Sequence, residues 1–177
     1  MKFAYADPPY FGTAKKYYGK YHPNASLYDT VAGHKRLIKK LCSDFPDGWA
    51  LSLGSSNLKV ILPLCPKDCR VGAWIKPFCF MKRGVPVSYA WEPVIWRGGR
   101  RRSDQRPYLR DFVSANAPTR RTASLAGTKP EEVCFWIFEI LGMNLDDELV
   151  DLFPGSGAVG RAWDQWKRIR PLFEHRT

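Results

Sequence analysis

The sequence predicts a single α/β domain, a sheet flanked by helices, and three observations carry that prediction. Two nearly unbroken apolar runs, Phe3-Ala4-Tyr5-Ala6 and Leu149-Val150-Asp151-Leu152-Phe153, read as buried strands, the first of them buried on both faces. Between them, strand-like runs alternate with helix-period segments, the pattern of a layered α/β fold. At 177 residues and 45% apolar content, the chain is long enough for one real core and short for two.

Taken in order, a buried strand over about 2–6 opens the chain and runs into Asp7-Pro8-Pro9-Tyr10. A glycine- and tyrosine-rich loop follows from Phe11 to about Tyr28, and loops of that length usually bind something. From Asp29 to Phe45, Val31, Leu37, Ile38 and Leu41 alternate with Lys35, Arg36, Lys39 and Lys40, which predicts a basic-faced helix. Trp49 to Leu53 reads as a strand, Gly54-Ser55-Ser56 as a turn, and Asn57 to Leu64 as a short helix. Two further strands are expected over Val71–Phe78 and Val87–Trp96, joined through the basic turn Lys82-Arg83-Gly84.

Composition then shifts. From Arg97 to Thr128 eight arginines stand among Gly, Pro, Ser and Thr, which predicts a loop or small insertion, not a domain. Lys129-Pro130-Glu131-Glu132 begins a helix running to Gly142 that is apolar nearly all round, and so buried. The strand 149–153, a glycine turn and a helix over about 158–167 complete the order.

The formal charge of +11 and a pI near 9.6 exceed what solubility needs and suit a polyanionic partner, most often nucleic acid. Five cysteines form an odd set without a CxxC pair, and three histidines are available to help them; core or surface thiols in a reduced setting are expected, with no metal. The nearest approach to a metal pattern is Cys65 and Cys69 with Cys79 further on. Neither a leader-like segment nor an apolar stretch approaching the ~18 residues of a bilayer span is seen, so a cytoplasmic protein is expected.

Two motifs carry chemistry. Asp7-Pro8-Pro9-Tyr10 sets a carboxylate, a fixed backbone and an aromatic ring at the end of a strand, which suits a flat, amine-bearing substrate; by itself it could equally be a stiff turn. Gly155-Ser156-Gly157-Ala158-Val159-Gly160 matches GxGxxG, which between strand and helix brings backbone amides close to a cofactor. Only 17 residues follow Gly160, too few for a dinucleotide half-domain, so a smaller cofactor with an adenosine and a charged tail is the better fit. A tight turn without a ligand is the alternative.

Asp7-Pro8-Pro9-Tyr10, then Gly127-Thr128-Lys129-Pro130-Glu131, then Asp151-Leu152-Phe153-Pro154-Gly155-Ser156-Gly157 together resemble the S-adenosylmethionine-dependent DNA amino-methyltransferases. The catalytic motif first and the cofactor motif last resembles their permuted β-type group. The resemblance implies a Rossmann-like methyltransferase sheet, permuted, with strands from the two ends of the chain neighbouring in space.

It also implies roles. Asp7 and the Pro8 carbonyl would accept the protons of a base amine, Pro9 would help fix that backbone, and Tyr10 would stack on the flipped base. Asp7, Thr128, Lys129, Asp151, Phe153, Gly155, Ser156 and Gly157 would line the S-adenosylmethionine site, with Thr128 and Lys129 near its carboxylate. Lys129 has a second reading as a helix-start cation beside Pro130. Arg97, Arg100, Arg101, Arg102, Arg106, Arg110, Arg120 and Arg121 fall where such enzymes place target-recognition elements, and arginine forks suit phosphates and guanine edges. Trp91-Glu92-Pro93 resembles a family strand motif, although Glu92 could also be an ordinary surface charge.

The chain departs from that pattern at its end. The second and third cofactor-side strands are expected to be reduced to Ile169-Arg170-Pro171-Leu172-Phe173-Glu174, with Glu174 as a candidate acid for the ribose hydroxyls, giving a shortened cofactor-side edge. The implied activity is methyl transfer to a base amine of double-stranded DNA, with adenine N6 favoured by the Asp at the first motif position. Cytosine N4, RNA, and a catalytically silent nucleic-acid binder remain open alternatives.

Overall fold

The computed structural model describes residues 1–12, 14–15, 24–79, 81, 83–101, 108–118 and 128–174, the side chains of 171–174 excepted. Six strands form one sheet: β1 (Lys2–Ala6), β2 (Gly48–Ser52), β3 (Arg70–Ile75), β4 (Trp91–Gly98), β5 (Phe112–Ser114) and β6 (Glu148–Asp151). Their spatial order is β5-β3-β4-β2-β1-β6. β1 pairs in parallel with β2 and β6, β3 pairs in parallel with β5, and β4 alone runs against its neighbours β2 and β3.

Among the described residues four helices have both ends defined: α1 (Val31–Asp44), α2 (Leu58–Ile61, with 3-10 turns on both sides), α3 (Glu131–Ile140) and α4 (Ala158–Glu174). α1 starts where Thr30 accepts a hydrogen bond from the Gly33 amide at 3.0 Å, an N-cap that satisfies one of the orphan donors of a first turn. α3 carries Glu131 and Glu132 in its first turn, where negative charge complements the helix dipole.

Alternation along β1 divides the core into two layers, as side chains of a strand point to opposite faces. Phe3 and Tyr5 face α3 and α4, packing with Trp74, Val94, Trp136, Phe138, Trp163 and Trp166; Ala4 and Ala6 face α1, packing with Leu37, Ile38, Leu41 and Leu51. The opening strand is therefore buried on both faces, as its sequence predicts.

Several expectations change. β3 ends at Ile75, not Phe78, and β4 starts at Trp91, not Val87. The last bond of the pair runs from the Lys76 amide to the Ala90 carbonyl, and Pro77, with no backbone donor, follows at once on the β3 side. Pro93 survives inside β4 because its carbonyl accepts from Leu53, just beyond the end of β2, where a missing N–H leaves no β2 ladder bond broken. The arginine-rich stretch contributes the end of β4 and the short strand β5, so its described part is not all loop.

The largest correction is at the end of the chain. Residues 169–174, expected as remnants of strands, continue α4. Val159, Ala162, Trp163, Trp166 and Arg170 are buried at helical spacing, so the 3.6-residue period prevails over any strand reading. No strand follows β6 among the described residues, and β6 forms that edge of the sheet. Nor, among them, is any helix long and apolar enough to cross a membrane.

Candidate active site

Residue pairing puts the two motifs side by side. Tyr5 of β1 is registered opposite Asp151 of β6, and the Leu152 amide donates to the Tyr5 carbonyl at 3.0 Å. Both strands run in the same direction, so Asp7-Pro8-Pro9-Tyr10 and the glycine turn leave the sheet at the same end. The N-terminal end of β4 reaches that end too, because β4 runs antiparallel to β2.

Pro8 and Pro9 are buried and anchor the turn, while Asp7 and Tyr10 are partly exposed. The Tyr10 hydroxyl donates to Glu92, and Gly54 lies close against its ring: a Cβ at Gly54 would sit 3.2 Å from the ring edge. Asn57 donates to the Phe11 carbonyl at 3.2 Å and ties down the following residue. Glu92 also pairs with Lys76, which leaves the end of β3.

Lys129 joins this group from the lead-in to α3. Its side chain is 4% exposed, and its Nζ lies 2.9 Å from Asp7 Oδ2, 3.2 Å from the Tyr10 hydroxyl and 3.3 Å from Glu92 Oε2. The same ammonium lies 5.4 Å from the Trp74 ring centre. Thr128, one residue earlier, faces the glycine turn instead, its hydroxyl 3.4 Å from Ser156 Oγ.

Asp7 Oδ1 and Asp151 Oδ2 are buried acceptors without a hydrogen-bond partner among the described residues. The other oxygen of Asp151 accepts from the Phe153 amide at 3.0 Å. Burial raises the Asp7 carboxyl above the usual carboxylate value, the Lys129 ammonium opposes this, and Glu92 adds to it. Burial likewise raises Asp151; the Phe153 N–H opposes, and Asp7 adds. Burial works against the Lys129 ammonium, yet the charges of Asp7, Tyr5 and Glu92 outweigh it and hold the pKa well above the ordinary lysine value. For Glu92, burial is outweighed by Lys129 and Lys76, which hold it below the ordinary value.

The glycine turn has the backbone its spacing implies. Gly155 and Gly157 have φ of 45° and 72°, in the left-handed region that glycine enters without a Cβ clash, and the Gly157 amide closes the turn onto the Pro154 carbonyl. A Cβ at Gly155 would meet nothing closer than 3.7 Å, so that side of the turn is open. Phe153 packs edge-on against Tyr28 at 5.1 Å.

The arginines divide. Arg97 lies at the far end of β4 from Glu92, with its Nε 2.9 Å from Asp68 Oδ1; Arg100 forks onto Asp147 at 2.6 and 3.0 Å. Both belong to the opposite end of the sheet from Asp7, held in structural ion pairs. Arg101, after β4, and Arg110, before β5, flank strand ends on that same side, but they are exposed, Arg110 with its guanidinium 5.5 Å from the Phe112 ring. Arg102, Arg106, Arg120, Arg121 and Gly127 lie outside the described residues. Glu174 sits on α4, beyond the residues whose side chains are described.

Sequence reasoning left Glu92 undecided and passed over Lys76. Both act across the β3–β4 pair, where Trp74 is opposite Glu92, and that pairing is not readable from local spacing. Among the described residues no cluster could hold a metal ion, and all five cysteines are free thiols.

Two solved structures resemble the chain over most of its length. M1.HpyAVI in complex with SAM superimposes with a TM-score of 0.62 at 15% identity, covering 94% of this chain and 78% of that one. M1.HpyAVI on its own gives 0.56 at 14% identity, covering 94% and 76%. At such identity the likeness is one of fold, and the six-stranded mixed sheet with flanking helices is a Rossmann-like methyltransferase fold. No protein-family model matches the sequence, and no curated protein matches it.

Proposed function

We propose that the chain is a DNA amino-methyltransferase that uses S-adenosylmethionine and acts on adenine N6. The observation that carries this reading is the unpartnered Asp7 Oδ1 at the end of β1, beside the glycine turn that follows the adjacent strand β6. The fold shared with a SAM complex supports the cofactor, and the surplus of positive charge supports a polyanionic substrate.

The residues present fit the cofactor. Asp151 Oδ2 is a buried acceptor awaiting a donor, Gly155-Ser156-Gly157 opens its backbone on one side, and Thr128 borders the same turn. Asp151, Phe153, Gly155, Ser156, Gly157 and Thr128 would hold it, with Asp7 at the boundary with the substrate. Bound there, it supplies an electrophilic methyl group on a sulfonium.

The chain's own residues do the rest by positioning. An exocyclic amine is a poor nucleophile because its lone pair is delocalised into the ring. Asp7 Oδ1 and the Pro8 carbonyl accept its two protons and favour the pyramidal geometry that frees the lone pair; Asp7 is also placed to take the proton released when the new N–C bond forms. The two prolines hold these acceptors fixed, so little reorganisation is needed. Tyr10, braced by Glu92 and Gly54, offers its ring face to the base, which must leave the duplex to reach Asp7. Of the arginine-rich stretch, Arg102, Arg106, Arg120 and Arg121 would contact the DNA, because Arg101 and Arg110 flank the strand ends that point away from Asp7.

The end of the sheet at β6 favours one other reading, a DNA-binding relative without methyl transfer. Calorimetry with S-adenosylmethionine, paired with DNA binding across a salt series, separates the two. Saturable cofactor binding, followed by radiolabel transfer to DNA, is the expected result; salt-sensitive DNA binding with no cofactor binding would overturn the enzymatic reading.

A further inference from the structure

A lysine ammonium has three N–H donors, and Lys129 has three oxygens within 3.3 Å: Asp7 Oδ2, the Tyr10 hydroxyl and Glu92 Oε2. Its donors are fully used on two residues of the motif, Asp7 and Tyr10, and on Glu92 of β4. No donor is left for a cofactor carboxylate unless one of these bonds breaks. The Tyr10 hydroxyl in turn accepts from Lys129 and donates to Glu92, whose other oxygen pairs with Lys76. Two lysines, two carboxylates and a phenol therefore form one connected, charge-balanced group.

From this geometry we propose that Lys129 is a positioning residue: by occupying Asp7 Oδ2 it keeps Asp7 ionised and leaves Oδ1 as the oxygen that accepts the substrate amine. This deepens the functional reading above and rests on it. The physical reason is that a carboxyl buried without a cation neutralises by taking a proton. A protonated Asp7 would donate where the amine needs an acceptor.

The groups facing Asp7 fix the sign of the effect. They are Tyr5 from β1, Tyr10 from the turn itself, Lys76 from the end of β3, Glu92 from β4, Lys129 before α3, Cys134 within α3 and Asp151 from β6. Lys129 and Lys76 favour the carboxylate, whereas burial and the negative charge of Glu92 oppose it. Of the two lysines, Lys129 is the one in direct contact with Asp7.

The test is the titration of the Asp7 carboxyl by carbon NMR, assigned by its loss in Asp7→Asn, in the wild type and in Lys129→Met and Lys129→Arg. The midpoint is expected to rise by at least about one pH unit in Lys129→Met and to return towards wild type in Lys129→Arg. An unmoved midpoint in Lys129→Met would overturn the proposal. Should Lys129→Met fail to fold, Lys129→Gln decides the matter, since it removes the charge and keeps a polar side chain; its Asp7 midpoint must rise, and an unchanged or lowered midpoint is contrary.

The second readout is the pH profile of methyl transfer. Its acid limb should move up with the NMR midpoint in Lys129→Met, with kcat reduced at low pH and KM for S-adenosylmethionine changed by less than about threefold. A large rise in that KM with an unmoved limb would make Lys129 a cofactor ligand instead. A wild type that transfers no methyl group would sink the functional reading, while the NMR midpoints would still decide the pairing.

Discussion

Tyr5 and Asp151, drawn from opposite ends of the sequence, are registered partners in the parallel β1–β6 pair. That single pairing places the Asp7 turn and the Gly155–Gly157 turn at one edge of the molecule. Parallel strands end together, and loops leaving the carboxyl ends of strands are where open α/β sheets bind ligands.

Asp7→Ala removes the acceptor at Oδ1 and the anion that Lys129 holds. Methyl incorporation into DNA should fall by at least about a hundredfold, the scale of losing one preorganised polar contact to the reacting group. Retention of DNA in a gel-shift assay at the same salt should persist. Wild-type turnover in this variant would remove Asp7 from the mechanism.

Tyr10 separates ring from hydroxyl. Tyr10→Phe keeps the stacking face and loses the bonds to Glu92 and Lys129, so activity should drop about tenfold or less. Tyr10→Ala loses the face as well, and a base–aromatic stack is worth about 1–3 kcal/mol. Steady-state kinetics on one DNA substrate should therefore rank wild type, Phe and Ala in that order; equal values for Phe and Ala would deny Tyr10 a stacking role.

Gly157→Ala places a Cβ on a residue at φ 72°, a conformation costing roughly 1–2 kcal/mol for an L-residue. The turn should relax away from its present shape. Calorimetric affinity for S-adenosylmethionine should fall about tenfold or more, with a smaller loss of thermal stability. Unchanged affinity would argue that this turn does not hold the cofactor.

At the other end of the sheet, Asp147 accepts from the Met1 amino group, from both terminal nitrogens of Arg100 and from the Asn144 amide. Burial alone would raise its carboxyl, but these donors outweigh burial and hold it well below the usual carboxylate range. A depressed native pKa gives stability that is complete above the unfolded value near ~3.9 and is lost as pH falls below it. Asp147→Asn should cost about 2 kcal/mol in urea unfolding at neutral pH, and the gap to wild type should close on acidification. A gap independent of pH would contradict this account of the clamp.

Much of this arrangement is legible in the sequence, for identifiable reasons. β1 is a short apolar run ended by turn residues and α3 is apolar nearly all round, so there local pattern and tertiary burial agree; β6 forms where its sequence predicts, but as the edge strand it is only half-buried, not buried as its apolar run suggests. The glycine turn is legible because its backbone demands those residues at those positions. β5 is not, since three residues at an edge carry no periodicity of their own. Arg97 and Arg100 looked like free charge in a loop because Asp68 and Asp147, which neutralise them, are distant in sequence. The Lys76–Glu92 pair and the three-way grip of Lys129 are hidden for the same reason: they exist only once β3, β4 and the start of α3 converge on β1.

The most direct measurement is nucleoside analysis of DNA incubated with the wild-type chain and S-adenosylmethionine carrying a labelled methyl group. The account predicts label in N6-methyladenine, and at least about a hundredfold less of it when Asp7→Ala replaces the wild type. Absence of any labelled base on both duplex and single-stranded DNA, with the protein folded and the cofactor intact, would contradict it.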